Sequence, residues 1–288
     1  MIHLIINPKA GEHRTKRHVK KIGKIFSAYG IEYTVHETGY AGAAKDIARE
    51  LTTQDPEAHI VVLGGDGTLH ETLNGVVDPT RCTLGLIPSG TGNDFAKTAG
   101  IPKNIKRAAL LVATAEAKPT DWIDVGGVRC MNVGGLGMDV DVLLRCERGH
   151  KRGKLKYLKS LLVSFVKFKG YEVSFDREGE WLDMNGLLVV ACNGKQIGGG
   201  IKICPAAEID DGMIDVMAVQ CFPSKWATLS AFIQLMGGKI MTYPHKTYYR
   251  CKKVSVRPKS QNTVQLDGEL YDGLTFDAEI HSGLKFYR

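Results

Sequence analysis

The chain has 288 residues, 43% hydrophobic and 24% charged, with a formal net charge of +7 and a pI near 8.9. That is the balance of a soluble globular protein, with length for two cores at roughly 100–200 residues per domain. The modest basic excess favours an anionic partner such as a phosphate, a nucleotide or an acidic lipid. No window approaches the roughly 20 apolar residues of a membrane-spanning helix. Seven cysteines (82, 130, 146, 192, 204, 221 and 251) are scattered, odd in number and without a C-x-x-C pair. They argue against a zinc site or disulfide framework and for reduced cytosolic thiols. The opening MIHLIINPKAG carries no secretory pattern, because its short apolar run meets Pro8 at once, so a cytoplasmic location is expected.

Taken in chain order, Ile2–Ile6 reads as a buried strand stopped by Asn7-Pro8. Val19, Ile22, Ile25, Phe26 and Tyr29 recur at helical spacing, and Gly30 follows as a C-cap. Ile31–His36 alternates as a strand, and Ala43, Ala44, Ile47, Ala48 and Leu51 mark a second helix. Ile60–Leu63 is a strand, Thr68–Val77 a helix, Leu84–Pro88 a strand, and a further helix starts near Thr91. Such alternation predicts an α/β domain, a parallel sheet covered by helices on both faces. After about Thr120 the rhythm changes. Trp122–Val125, Arg129–Val133, Tyr171–Phe175, Gly186–Ala191, Ile214–Gln220, Lys253–Val256, Thr263–Leu266 and Thr275–His281 read as strands with Gly-rich turns between many of them. Leu155–Phe168 and Ser224–Met236 read as helices. Many short strands predict an all-β second domain, an antiparallel sandwich. The boundary is expected near residue 125, giving domains 1–125 and 126–288, with a return of the last residues to the first domain left open.

The stretch VVLGGDGTLHE, from Val61 to Glu71, carries the most chemistry. A double glycine is on its own a tight strand-to-helix turn. A dinucleotide fingerprint needs a third glycine where His70 stands, and no Walker A pattern exists in the chain. A turn that leaves a strand and opens a helix at the carboxyl edge of a parallel sheet also favours phosphate, through backbone N–H groups and the helix dipole. Asp66 would repel bare phosphate, and makes sense there if Mg²⁺ or a water network intervenes.

GGDGT resembles the nucleotide-binding motif of the diacylglycerol kinase and sphingosine kinase catalytic domain, a superfamily that includes NAD kinases and resembles phosphofructokinases. Asn7-Pro8-Lys9-Ala10-Gly11 resembles its opening N-P-x-x-G, and Pro88-Ser89-Gly90-Thr91-Gly92-Asn93-Asp94-Phe95-Ala96 its P-x-G-T-x-N-D-F-A. Asn193-Gly194, Gly198-Gly199-Gly200, Pro205, Asp210-Asp211-Gly212 and the late Asp267-Gly268-Glu269 follow in the family's order, which is most similar to the soluble bacterial lipid kinases. The resemblance implies an N-terminal three-layer α/β/α domain and a C-terminal antiparallel β-sandwich. It also implies ATP and Mg²⁺ as cofactors and a lipid substrate.

The implied roles follow residue by residue. Asn7, Pro8, Lys9, Ala10 and Gly11 would line the nucleotide site, with Lys9 either neutralising phosphate or a solvated surface lysine. Gly64, Gly65, Asp66, Gly67, Thr68, Leu69 and His70 would hold the phosphates. Thr38 and Thr91 match nucleotide contacts and could equally cap the helices after them. Asp66 and Asp94 match metal-linked acids, Asp94 with a plain helix-start reading beside it. Asp124 matches an aspartate supporting the acid network. Glu269 is the candidate general base, with a pKa expected to be raised by burial or neighbouring acids; an ordinary Asp-Gly hairpin is the other reading. Glu208, Asp211 and Met213 match a structural Mg²⁺ site, with a metal-free acidic turn as the alternative.

His150–Lys169 interleaves Lys151, Arg152, Lys154, Lys156, Lys159, Lys167 and Lys169 with Leu155, Tyr157, Leu158, Leu161, Leu162, Val163, Phe165, Val166 and Phe168. Such a helix either lies on an anionic membrane surface or packs on a core with a solvated lysine face. Nucleic acid is not an expected partner, since no recognition motif accompanies the charge; a homodimer is left open. The expected activity is transfer of the ATP γ-phosphate to a lipid hydroxyl, foremost diacylglycerol. The expected reaction site lies between the two domains, with a peripheral membrane attachment. The rivals are an NAD kinase-like enzyme and a non-catalytic nucleotide-sensing membrane adaptor.

Overall fold

The computed structural model describes residues 1–8, 15–147, 154–221, 224–260 and 263–288. Lys9, Ala10, Gly11, Lys151 and Arg152 lie outside the described residues, as do the side chains of Lys154, Leu155, Lys156 and Tyr157. The chain forms two compact units, Met1–Asp121 with Ser282–Arg288, and Trp122–His281.

The first unit runs β1 (Ile2–Ile6), α1 (Thr15–Ala28), β2 (Tyr33–Glu37), α2 (Ala43–Gln54), β3 (His59–Gly64), α3 (Asp66–Gly75), β4 (Thr83–Pro88), α4 (Asp94–Thr98) and α5 (Ile105–Thr114). The strands pair in parallel in the order β2-β1-β3-β4, and residues 285–287 add another parallel strand beside β4. Leu4, Ile5, Ile60, Val61, Val62, Leu84, Leu86 and Ile87 are buried without alternation, as a sheet covered on both faces requires. The step from β1 to β2 goes one way and the steps to β3 and β4 the other. Right-handed crossovers then set α1 on one face and α2 and α3 on the opposite one. Accordingly α2 packs on α3, and α1 on α5.

Two sequence expectations shift here. The helix expected near Thr91 begins at Asp94, and ends at Thr98 before Gly100 (φ 70°). A separate helix, α5, follows, its first N–H groups capped by the Asn104 side chain. Neither Thr38 nor Thr91 caps a helix. Gly42 stands at the N-cap of α2, and the Glu71 carboxylate accepts the N–H groups of Gly42 and Ala44 at 3.0 and 3.3 Å.

The second unit takes in the end of β5 (Ala117–Val125), then β6 (Val128–Cys130), β7 (Val133–Gly137), α6 (Met138–Glu147), α7 (Lys154–Lys167), β8 (Tyr171–Arg177), β9 (Glu180–Cys192), β10 (Ile214–Gln220), α8 (Lys225–Met236), β11 (Lys246–Cys251), β12 (Lys253–Pro258), β13 (Thr263–Leu266), β14 (Glu269–Asp272) and most of β15 (Phe276–Tyr287). It is an antiparallel sandwich, as the sequence predicts. The long β9 serves both sheets: its first half pairs with β8, its second half lies between β7 and β10. Val189, Ala191, Val216 and Ala218 point into the sandwich with Phe175, Val256 and Phe276. Their neighbours Leu188, Val190, Met217 and Val219 point to the other face, where Val142, Leu161, Phe165, Ala231 and Leu235 of α6, α7 and α8 cover them. So α7 does bury one row of its apolar residues in a core.

The expected strand Arg129–Val133 is in fact two, β6 and β7, broken at Met131-Asn132. The cause is Asp267, whose carboxylate draws off the intervening backbone N–H groups. The edge strands β11 and β14 and the helix α6 are additions to the sequence reading.

Candidate active site

In the first unit the strand order reverses between β1 and β3, and open α/β sheets bind ligands at the carboxyl ends flanking such a reversal. Asn7 leaves β1 at that edge, Thr38 leaves β2, Gly65 leaves β3, and Ser89 opens the turn after β4. The Asn7 side chain donates to Thr68 Oγ1 at 3.5 Å, and the Thr38 N–H donates to the Ile6 carbonyl at 2.9 Å. The structure thus brings Asn7, the first residue of N-P-x-x-G, against Thr68 of the GGDGT turn.

The turns after β3 and β4 meet backbone to backbone. A methyl group on Gly90 would lie 2.6 Å from the Cα of Gly65, and one on Gly65 would lie 3.1 Å from the Cα of Gly90. No side chain fits between them. Gly64 is likewise filled, by Thr68. Asn93 fixes the second turn. It adopts a left-handed conformation (φ 51°), accepts from the Gly90 N–H at 3.1 Å and donates to the Gly90 carbonyl at 2.7 Å. Sequence reasoning quoted Asn93 and Gly90 within a motif but gave neither a role; the available signal was an asparagine, tolerant of positive φ, beside two glycines.

Gly65 is the N-cap of α3 and supplies no side-chain cap, and the N–H groups of a helix's first turn favour an anion. Asp66, in that turn, has both carboxylate oxygens engaged. They accept the N–H groups of Asp94 and Phe95, at 3.1 and 3.2 Å, and so cap α4. Asp94 is buried and receives the Lys97 ammonium at 2.9 Å. Gly67 is half-buried, whereas the Leu69 and His70 side chains are buried in the core, which leaves only their main chain to a ligand. Thr91 is exposed.

In the second unit the turn Asp267-Gly268 joins β13 to β14 with both residues at positive φ (54° and 92°), the two-residue hairpin geometry that Asp-Gly favours. Glu269 pairs with Leu266 across that hairpin and is exposed, so the burial expected to raise its pKa is not supplied within this unit. Asp267 is the organiser. It accepts the N–H groups of Met131 and Asn132 at 2.8 Å and of Val133 at 3.3 Å, and the Cys130 thiol at 3.2 Å. Burial first, then this carboxylate, push the Cys130 thiol well up. Asn132 in turn donates to the Gln196 carbonyl, and its own carbonyl receives the N–H groups of Asn193 and Gly194. The Asn193-Gly194 turn and the late D-G-E motif are therefore one hydrogen-bonded assembly. Asp124 closes a different hairpin, accepting the Gly127 N–H at 2.8 Å.

The segment around Asp211 differs from the expected metal site. Asp211 Oδ1 accepts the Met213 N–H at 3.1 Å, and Oδ2 is in contact with the Arg250 guanidinium. Arg250 also lies 3.7 Å from buried Asp215, whose other partner is the Tyr248 hydroxyl at 2.5 Å. Glu208 is exposed. The cation meeting Asp211 is thus a side chain of the chain itself, and the set as it stands does not fit Mg²⁺.

A glycine turn at the reversal point of a doubly wound parallel sheet, opening a helix with no side-chain cap, belongs to the class of nucleotide-phosphate-binding α/β proteins, here coupled to a β-sandwich. Residues 1–125 match the family described as the diacylglycerol kinase catalytic domain, and residues 133–284 the YegS C-terminal NAD kinase beta sandwich-like domain. A diacylglycerol kinase of Bacillus subtilis is 30% identical over 279 residues, covering 94% of this chain and 90% of that one. One from Staphylococcus carnosus is 26% identical over 270 residues, covering 92% and 87%. A crystal structure of a diacylglycerol kinase from Bacillus anthracis superposes with a TM-score of 0.80 at 26% identity, covering 99% and 96%. The chain belongs to the diacylglycerol kinase catalytic-domain family. It is a lipid kinase by that membership, with ATP as the substrate the family implies. None of its described helices is long and apolar enough to cross a membrane.

Proposed function

We propose that the protein transfers the γ-phosphate of ATP to the hydroxyl of diacylglycerol, giving phosphatidic acid and ADP, with Mg²⁺ as the required ion. The observation that supports the nucleotide half is the Gly65–Gly90 contact, where the turns after β3 and β4 meet backbone to backbone beside the sheet's reversal point with no side chain between them. In this reading the α3 amides at Gly67 and Thr68 hold phosphate, with Asn7, Pro8, Lys9, Ala10 and Gly11 on the β1 side, and Thr38 and Thr91 near the nucleotide. Asp66 orients the second phosphate loop and would help to hold Mg²⁺. Magnesium, when bound, neutralises charge on the β- and γ-phosphates. Asp94 and Asp124 support that acid network.

Glu269 takes the proton of the lipid hydroxyl as its oxygen forms the bond to the γ-phosphorus and the bond from phosphorus to the ADP oxygen breaks. The Asp267 network fixes the hairpin that presents Glu269, which suits a base that must meet its proton at hydrogen-bond distance. The metal assigned by resemblance to Glu208, Asp211 and Met213 is not part of this mechanism, since Arg250 holds Asp211.

ATP consumption with Mg²⁺, against diacylglycerol, phosphatidylglycerol, a sphingoid base, a polyprenol and NAD, tests the reading. Turnover is expected with diacylglycerol and lost in EDTA. Turnover with NAD alone would transfer the chain to the NAD kinase reading, and turnover with nothing would leave a nucleotide-sensing adaptor.

A further inference from the structure

Three side chains of α3 reach three different loops. Asp66 accepts the N–H groups of Asp94 and Phe95 beyond β4, and Thr68 accepts the Asn7 side chain at the end of β1. The third is Glu71, one turn further along, which the mechanism does not use. Its Oε1 accepts the Gly42 N–H at 3.0 Å and its Oε2 the Ala44 N–H at 3.3 Å. A carboxylate there meets both the first amides and the positive end of α2, and such charge-assisted bonds are the stronger kind.

The loop that Glu71 holds is thinly supported elsewhere. Residues 38–42 read Thr-Gly-Tyr-Ala-Gly. Gly39, Tyr40 and Ala41 are exposed, and a side chain on Gly39 or Gly42 would meet nothing within 4 Å. At its start the loop is tied by the Thr38 N–H to the Ile6 carbonyl, and at its end by Glu71. The α2 helix behind it has a fixed seat, because a methyl group on Gly75 would run into the Lys45 carbonyl. The far end of α2 is fastened as well, where Thr52 Oγ1 accepts the Val77 N–H at 3.1 Å. Packing thus sets where α2 lies, and Glu71 sets where the loop before it ends. The sheet order gives that loop its place. β2 lies beyond β1 from β3, so at about 4.8 Å per strand its end stands about 10 Å from the phosphate turn. That is the nucleoside side of a nucleotide whose phosphates lie at Gly67 and Thr68.

We infer that Glu71 is a positioning residue for nucleotide binding. It anchors residues 38–42 to the helix that carries the phosphate turn, so that the nucleoside and phosphate contacts keep one spacing. The inference rests on the nucleotide half of the proposed function and is independent of which lipid is phosphorylated.

The test is calorimetric binding of ATP and of ADP, each with Mg²⁺ and without lipid, to the full chain and to Glu71→Ala, Glu71→Gln and Thr52→Val. Glu71→Ala should weaken both nucleotides by the same factor, about tenfold, the size of one lost charge-assisted hydrogen bond. Glu71→Gln keeps one acceptor oxygen and should fall between. Thr52→Val, which removes the fastening at the far end of α2, should lower the melting temperature and leave both affinities unchanged. With diacylglycerol as acceptor, Glu71→Ala should raise the KM for ATP and leave kcat within about twofold at saturating ATP. Should Glu71→Ala fail to fold, the Gln variant, of the same shape, carries the comparison. Wild-type affinity in a folded Glu71 variant would make Glu71 a helix cap only and overturn the inference. So would a loss confined to ATP, which would put the effect at the γ-phosphate, or an equal loss in Thr52→Val. A wild type that binds neither nucleotide would remove the nucleotide reading itself, and the inference with it.

Discussion

The two units build their sites from different parts of the chain. In the first, the critical contact is backbone on backbone: Gly65 against Gly90, with Asn93 and Asp66 acting mainly as fasteners for N–H groups. In the second, a side chain does the organising. One carboxylate, Asp267, gathers three backbone amides and a thiol, so fixing the loop beside the hairpin that carries Glu269. Phosphates are large, charged and always alike, and a fixed array of amides serves them. A proton acceptor must be a particular side chain at a particular place, and its support is a hydrogen-bond network.

Substitutions can break that contrast. The largest effect is expected from Asp66→Ala, which should eliminate turnover. It should also remove the cap of α4, at a cost of about 1–2 kcal/mol of stability measured by denaturant unfolding. Retained activity would show that Asp66 serves only as a cap. Asp267→Ala should strip the partners from Met131, Asn132 and Val133 and lower stability by about 3 kcal/mol, while ATP affinity holds. If calorimetry finds no loss, the second unit's order has another source.

Asp139 sharpens the comparison from within the sandwich unit. It is buried at the start of α6, and burial lifts its carboxyl from 3.8 to about 6. Between those values the folded chain binds more protons than the unfolded one, so stability should fall as pH rises from about 4 to about 6, then level off. Asp139→Asn should remove that slope and gain up to about 3 kcal/mol above pH 6. A flat wild-type profile of melting against pH would contradict the shift. The smallest effect concerns Arg250. The wild-type melting temperature should ignore Mg²⁺ and EDTA, while Arg250→Met, leaving Asp211 and Asp215 without their cation, should make melting depend on Mg²⁺. A wild-type response to EDTA in the absence of nucleotide would return a metal to this segment.

Much of the first unit was legible because its strands are buried on both faces. Ile2–Ile6 and Ile60–Leu63 read as unbroken apolar runs, and the helices between them carry a clear period. The sandwich was legible where strands alternate and obscure where they lie at an edge. β11 is half-exposed along most of its length, and the first half of β9 alternates polar residues in solvent, so only its buried second half announced itself. The split of Arg129–Val133 could not be read locally, because its cause, Asp267, lies more than a hundred residues away. Of the site, the glycine turn and the D-G-E hairpin stood out. The Asn93 clamp did not, nor did the Arg250 pairing, since both depend on which side chain folding brings alongside.

The most direct test of this division of labour measures ATP affinity and single-turnover phosphoryl transfer to diacylglycerol in the same Glu269→Gln preparation. ATP should bind as it does to the wild type, while transfer falls by about 10²–10⁴-fold. Transfer at the wild-type rate would remove Glu269 as the base, and loss of ATP binding would show that the nucleotide does not depend on the first unit alone.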